Sequence, residues 1–243
     1  MLRQAYNQCM SLNTISRLSW LTGSAVWVGF DYQAWTHDPL CSSGALDLFR
    51  IPKFSAFFYR SQRDPAITLP AVHSGPMVFI ASHWNSSSER APLRVYRNCE
   101  RVNLFLNGSA VAANQPPADL GVPHPWFEFS IASFTAGTLI AEGVIGGTVR
   151  ARDTVMTPGS AARLVVAIEN ANQTLRADGS DMAMVYASIV DANGTVVPGA
   201  SNSVTFTVSG TTTARLVTTS VAASQTVAAQ AGKDRLFVAR RHR

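Results

Sequence analysis

Charge is scarce in this chain of 243 residues: Asp, Glu, Lys and Arg make up 14% of it, against roughly a quarter in an ordinary soluble domain. Only two lysines occur, Lys53 and Lys233, and no glutamate precedes Glu89. The formal net charge is +5, but Arg235, Arg240, Arg241 and Arg243 crowd the last nine residues and account for all but one of those charges. A nucleic-acid-binding face needs Lys and Arg clustered on the folded body, so no nucleic-acid partner is expected and the basic end reads as a solvated tail. Cysteine is equally sparse. Cys9, Cys41 and Cys99 lie far apart with no C-x-x-C, which excludes a zinc framework and a disulfide scaffold. No uncharged apolar run approaches the ~18 residues of a membrane helix, so no membrane partner is expected. No apolar signal-peptide core follows Met1, and the sequons at Asn85, Asn107, Asn172 and Asn193 matter only in a secreted chain. Neither feature assigns a compartment.

What is abundant is apolar surface. Hydrophobic residues are 47% of the chain, which points to packed cores rather than disorder. The pattern changes twice along the sequence. Leu2, Ala5, Tyr6, Cys9 and Met10 recur at helical spacing, predicting a helix from Leu2 to about Asn13. Ala25 to Phe30 is a continuous apolar run ended by Asp31, as in a strand covered on both faces. Phe54 to Arg60, after Pro52, reads as a second helix. Helix, buried strand, loop and helix form an α/β segment. From Gly75 to about Val155 the pattern is all-β: short apolar stretches separated by the turn pairs Asn107-Gly108 and Gly146-Gly147, at the spacing of an immunoglobulin-like sandwich. Pro158-Gly159 opens a second such region, whose strands Ala162 to Ile168, Met182 to Val190 and Val204 to Val208 are legible. After Gly210 a Thr/Ser/Ala/Gln run shows little periodicity, so this second sandwich is expected to be incomplete or irregularly ended.

Catalytic constellations are few. There is no G-x-S-x-G, no P-loop and no G-x-G-x-x-G. His37, His73, His83, His124 and His242 are scattered, so no metal site and no cofactor is expected. Among Asp31, Asp38, Asp47 and Asp64, only Asp31 ends an apolar strand; the others read as turn or surface residues. One well-placed acid is not the pair that glycoside hydrolysis uses. Trp27 lies inside the apolar run, with Phe30, Tyr32 and Trp35 following. A flat indole gives a pyranose a face to stack on, while periodicity alone favours a core tryptophan.

The stretch Gly23-Ser24-Ala25-Val26-Trp27-Val28-Gly29-Phe30-Asp31-Tyr32 resembles the last barrel strand of family 2 glycoside hydrolases, which ends in W-x-x-x-D-[FY]. This is the β-galactosidase, β-glucuronidase and β-mannosidase family. Gly44 to Gln62 is similar to the loop and final barrel helix that follow. Gly75-Pro76-Met77-Val78-Phe79-Ile80 through Asn98-Cys99-Glu100-Arg101-Val102-Asn103-Leu104-Phe105-Leu106-Asn107-Gly108 is similar to the first sandwich after the barrel in the β-galactosidase-like branch. Leu175 to Asp181 through Val190 to Gly194 is similar to the second.

The resemblance implies a short remnant of the end of a (β/α)8 barrel in residues 1–66, an Ig-like β-sandwich in 67–156, and a second in 157–243 with a basic, low-complexity tail. Trp27 would be the tryptophan at the floor of the innermost sugar subsite. Asp31 would be a structural or substrate-orienting acid, and both are the substrate-binding candidates. The family's retaining mechanism uses two glutamates on earlier strands, and this sequence contains neither, so no residue is assigned a catalytic role. The loop Pro39 to Gly44 lacks the N-x-K of glucuronidases, so the expected ligand is a β-galactoside or a related neutral glycan. Met1 falls within what resembles the seventh barrel helix, and the region past Gly210 departs from the family pattern, as in a truncated or frame-altered product. A barrel strand without neighbours should leave Val26, Val28 and Phe30 partly exposed, or drive self-association. The alternative reading is a non-catalytic carbohydrate-binding or adhesin-like tandem of sandwiches, which an exposed row containing Trp84 and Trp126 would support. A hydrolase using Asp31 with Asp38 or Asp47 is the third.

Overall fold

Strands dominate the computed structural model, which describes residues 2–33, 40–69, 72–88, 92–112, 116, 120–169, 174, 183–207, 216–217, 221–222, 224–228 and 233–239. Sixteen strands and two helices lie among them, in two units, Met1–Thr157 and Pro158–Arg243.

The first unit opens with α1 (Leu2–Ser16), which buries Ala5, Cys9 and Asn13 at four-residue intervals along one face. β1 (Tyr32–Gln33) pairs with β2 (Leu40–Cys41), and α2 (Phe54–Ser61) buries Phe54 and Phe58. Seven strands follow: β3 (Val78–Ile80), β4 (Leu93–Arg97), β5 (Arg101–Leu106), β6 (Ser109–Val111), β7 (Phe127–Phe129), β8 (Thr138–Ile145) and β9 (Thr148–Met156). They form two antiparallel sheets, ordered β3-β4-β7 and β6-β5-β8-β9.

Side-chain alternation explains how the sheets and helices are layered. Val78, Ile80, Leu93, Val95, Phe127 and Phe129 point from the three-stranded sheet into one core, where they meet Val102, Leu104, Leu139 and Ala141 of the four-stranded sheet. Tyr96 and Phe79, the intervening residues, point the other way and meet Phe54, Phe58, Ala5 and Cys9 of the two helices. The three-stranded sheet is therefore covered on both faces, and each fully buried side chain of this size stabilises by about 1.5–3 kcal/mol. Two tight hairpins set the register. Asn107 and Gly108, and likewise Gly146 and Gly147, all have positive φ, as a two-residue hairpin turn of the twisted type requires. Asp153 of β9 fastens the edge by accepting the amide of Ile80 at 2.7 Å.

In the second unit, β10 (Arg163–Glu169), β11 (Met184–Val190), β16 (Lys233–Ala239), β13 (Leu216–Val217) and β14 (Val221–Ala222) form one sheet in that order. β12 (Ser203–Thr207) pairs with β15 (Ser224–Ala228). Ala187, Ile189, Val204 and Phe206 make its core. The turn after β11 is tied by Asp191, whose carboxylate accepts the amides of Gly159, Asn193 and Thr195 at 2.8–2.9 Å.

Two expectations are corrected. Residues 25–30 form no strand: their backbone pairing among the described residues is one parallel bridge between Phe30 and Leu46, with the carbonyls of Val28 and Gly29 accepting from Ala45 and Leu46. An apolar run makes a strand only where neighbours take up its N–H and C=O groups. The region past Gly210 is not patternless, because β13 to β16 all lie there. Thr and Val favour strands, but β13 and β14 are too short to show a period, the Ser, Thr and Ala of β15 give little hydrophobic contrast, and β16 does not alternate. Arg235, read as tail, stands in β16 opposite Tyr186. Arg240, Arg241 and Arg243 lie outside the described residues.

Candidate functional site

Asp31 anchors the segment that the sequence singles out. Its side chain is buried, and Oδ1 accepts hydrogen bonds from Lys53 Nζ at 2.6 Å and from the Gly44 amide at 2.9 Å. Lys53 is itself buried at the start of α2, and its ammonium also donates to the Ser42 carbonyl at 2.9 Å. A charge-assisted pair of this kind is held by its extra hydrogen bonds as much as by Coulomb attraction. The backbone closes around it. Ala45 and Leu46 donate to the carbonyls of Val28 and Gly29, Asp31 donates to Leu46, and Lys53 donates to Ala45, all at 2.9–3.1 Å. Gly44 is required there because a Cβ would sit 2.3 Å from the Asp31 amide nitrogen. From the other side α1 grips the same turn, with Gln4 Nε2 donating to the carbonyls of Ser42 and Gly44.

Trp27 faces the opposite way. It is 75% exposed, its indole N–H donates to the Tyr32 hydroxyl at 3.1 Å, and the two rings meet edge to face at 6.1 Å. The peptide bond between Trp27 and Val28 is cis. Val26 and Phe30 are exposed as well, and the Arg50 guanidinium lies 3.9 Å over the Phe30 ring. Trp27 and Asp31 thus belong to one segment without lining one cavity: the indole faces outward, and the acid is occupied internally.

The remaining acids of this region cap turns. Asp47 accepts the amides of Phe49 and Ile51, and Asp64 accepts that of Ala66, at 2.8–2.9 Å. Trp35, His37 and Asp38 lie outside the described residues. Farther along, Glu100 accepts the Gly146 amide at 3.0 Å, Glu128 pairs with Arg94 at 3.3 Å, and Glu142 pairs with Arg152. Each of these described carboxylates is engaged by a backbone amide or an arginine. Trp84 and Trp126 are buried in the cores, their indole N–H groups taken by the Thr135 carbonyl and Glu128. They form no exposed aromatic row. His83 stacks at a tilt against Phe54, 5.1 Å between ring centres, and both border an open hollow of about 320 Å³ with Leu2, Ser82 and Asn85. Neither Trp27 nor Asp31 lines it. Burial pushes the Cys9 thiol up to about 12 against the opposing charge of Arg94, and burial lowers the His124 value.

Sequence reasoning missed Lys53 and Gly44 as the partners of Asp31. A signal for Lys53 was present: it is the only lysine before Lys233, in a chain that otherwise uses arginine.

Residues 166–238 match the family described as glycoside hydrolase family 2 C-terminal domain 5, and residues 88–151 match a domain of unknown function, DUF4982. The chain is 35% identical over 208 residues to a β-galactosidase of Thermoanaerobacter pseudethanolicus, covering 78% of this chain and 27% of that protein. It is 29% identical over 205 residues to a β-glucuronidase of Formosa agariphila, covering 82% of this chain and 19% of the relative. Among solved structures, a β-glucuronidase from glycoside hydrolase family 2 superimposes with a TM-score of 0.76 at 26% identity, over 98% of this chain and 24% of that one. The chain spans about a quarter or less of the length of these relatives.

Proposed function

We propose that this chain, which corresponds to the C-terminal region of a family 2 glycoside hydrolase, supplies one wall of a sugar subsite in a β-galactosidase-like enzyme and is hydrolytically silent by itself. The observation that carries the reading is the presentation of Trp27. A buried ion pair, Asp31–Lys53, fixes the base of the segment while the indole stands out from it, ready to meet a pyranose face. In this reading residues 1–66 are the closing helix–strand–helix of a barrel, 67–156 and 157–243 are Ig-like sandwiches, and the exposed flanks of Trp27 are covered by the remaining barrel. Asp31 serves as a positioning residue: it holds the loop and does not touch the sugar. The substrate class is a β-galactoside or related neutral glycan, supported by the names of the β-galactosidase relatives and by the absence of N-x-K in residues 39–44.

Silence follows from the chemistry. Retaining hydrolysis needs an acid/base and a nucleophile about 5–5.5 Å apart across the sugar, and binding surface alone lowers no barrier to the chemical step. Glu100, Glu128 and Glu142 are engaged within the sheets, and Asp31 is engaged by Lys53. The purified chain is expected to release no nitrophenol from a nitrophenyl β-galactoside. The galactoside should instead shift the Trp27 indole signal in NMR spectra, an effect absent from Trp27→Ala. Turnover by the chain that disappears in Asp31→Asn would overturn the reading.

A further inference from the structure

β10 is exposed along its whole length. All seven residues, Arg163 to Glu169, are solvent-accessible, and the strand lies at the end of its sheet with β11 as its one partner among the described residues. Its core-side residues are exposed nonetheless. Leu164, Val166 and Ile168 stand opposite Ile189, Ala187 and Val185, so they share a face with them. Ile189 and Ala187 are buried, whereas Leu164, Val166 and Ile168 are 50, 60 and 65% exposed. The apolar face therefore runs one strand beyond its cover. Natural edge strands are guarded by lysine, proline, bulges or brevity. β10 has no lysine or proline, and its register with β11 is unbroken over seven pairs.

The ends of the strand identify the occupant. In an antiparallel pairing of two copies centred on Val166, Arg163 of each copy falls opposite Glu169 of the other, and Leu164 falls opposite Ile168. Both charges are matched and the apolar row is doubled, which neither a parallel nor a shifted pairing achieves. We propose that β10 is a homodimerisation edge, where two copies of this chain join their sheets antiparallel about a two-fold axis through Val166. The charge complementarity is built into the strand itself, so no other protein is needed to satisfy it.

The test needs no other protein and uses the full chain. Analytical ultracentrifugation over a concentration series should reveal a monomer–dimer equilibrium. Arg163→Glu, which sets like charges face to face at two symmetric positions, should weaken it about tenfold, and Val166→Lys should abolish it. The charge swap Arg163→Glu with Glu169→Arg should restore it, an outcome that mere loss of folding or non-specific adhesion would not give. Urea midpoints of the variants, compared at a concentration low enough that the parent is monomeric and expected there to match it because the residues are exposed, keep misfolding apart from lost association. A chain that stays monomeric throughout the micromolar range overturns the proposal. So does a dimer that ignores these changes, or one that is lost only when Val26, Trp27 and Phe30 are replaced by Ser.

Discussion

Ala25–Phe30 and Thr138–Ile145 are both apolar stretches with a glycine inside them, yet only the second is a strand. β8 has β5 on one side and β9 on the other, and its Leu139 and Ala141 share a buried core with eleven other residues. Gly143 admits the packing of Cys99 and Val78, since a Cβ there would meet Cys99 Sγ at 2.5 Å. Residues 25–30 have one bridge to Leu46, and Val26, Trp27 and Phe30 are open to solvent. Composition sets which residues seek cover; pairing partners decide whether they obtain it. The largest expected effect follows from that contrast. Phe129→Ala removes a fully buried ring from the core and should cost about 3–5 kcal/mol of stability. Trp27→Ala, which removes an exposed ring, should stay within about 0.5 kcal/mol. Urea unfolding measures both, and equal losses would show that residues 25–30 are packed after all.

The same contrast explains what could be read from the sequence. The helices at Leu2 and Phe54 and both two-residue hairpins were legible because each carries a local signal: spacing of apolar residues, or Asn-Gly and Gly-Gly where φ must be positive. The strands β13 to β16 were not: β13 and β14 are two residues each, the Ser, Thr and Ala of β15 give little contrast between faces, and β16 runs three charged residues into four apolar ones without alternation. The site was half legible. Trp27 and Asp31 stood out by type and position, but the pairing of Asp31 with Lys53 joins residues 22 apart in sequence, and only the folded loop brings them together.

Lys53→Met is the next largest perturbation. It leaves the Asp31 carboxylate buried with the Gly44 amide and without its cation, and breaking one partner of a buried pair costs about 3–5 kcal/mol. The loss should be confined to the turn around residues 28–53. Hydrogen exchange would find the amides of Asp31, Ala45 and Leu46 deprotected while those of β4 and β8 stay slow. Adding Asp31→Leu should recover part of the loss, because the stranded charge goes with it. Global unfolding in Lys53→Met, with β4 and β8 exchanging as fast as the loop, would mean the segment is part of the core.

The smallest effect comes from carboxylates, where the question of partners recurs with opposite signs. Asp191 accepts backbone N–H groups, Gly159 first among them, and these hold its carboxyl below its ordinary value. Asp153 accepts the amide of Ile80, but burial outweighs that bond and raises it. A lowered folded-state value contributes stability that is complete above the ordinary carboxyl range and is lost as pH falls through it. A raised one acts the other way, lowering stability as pH climbs from the ordinary carboxyl value toward the folded-state value, so the two act on opposite sides of that ordinary value. Asp191→Asn should therefore flatten the acid limb of the urea midpoint below it, and Asp153→Asn should steepen the limb above it. Parallel acid limbs in all three proteins would mean that neither carboxylate differs between the folded and unfolded chains.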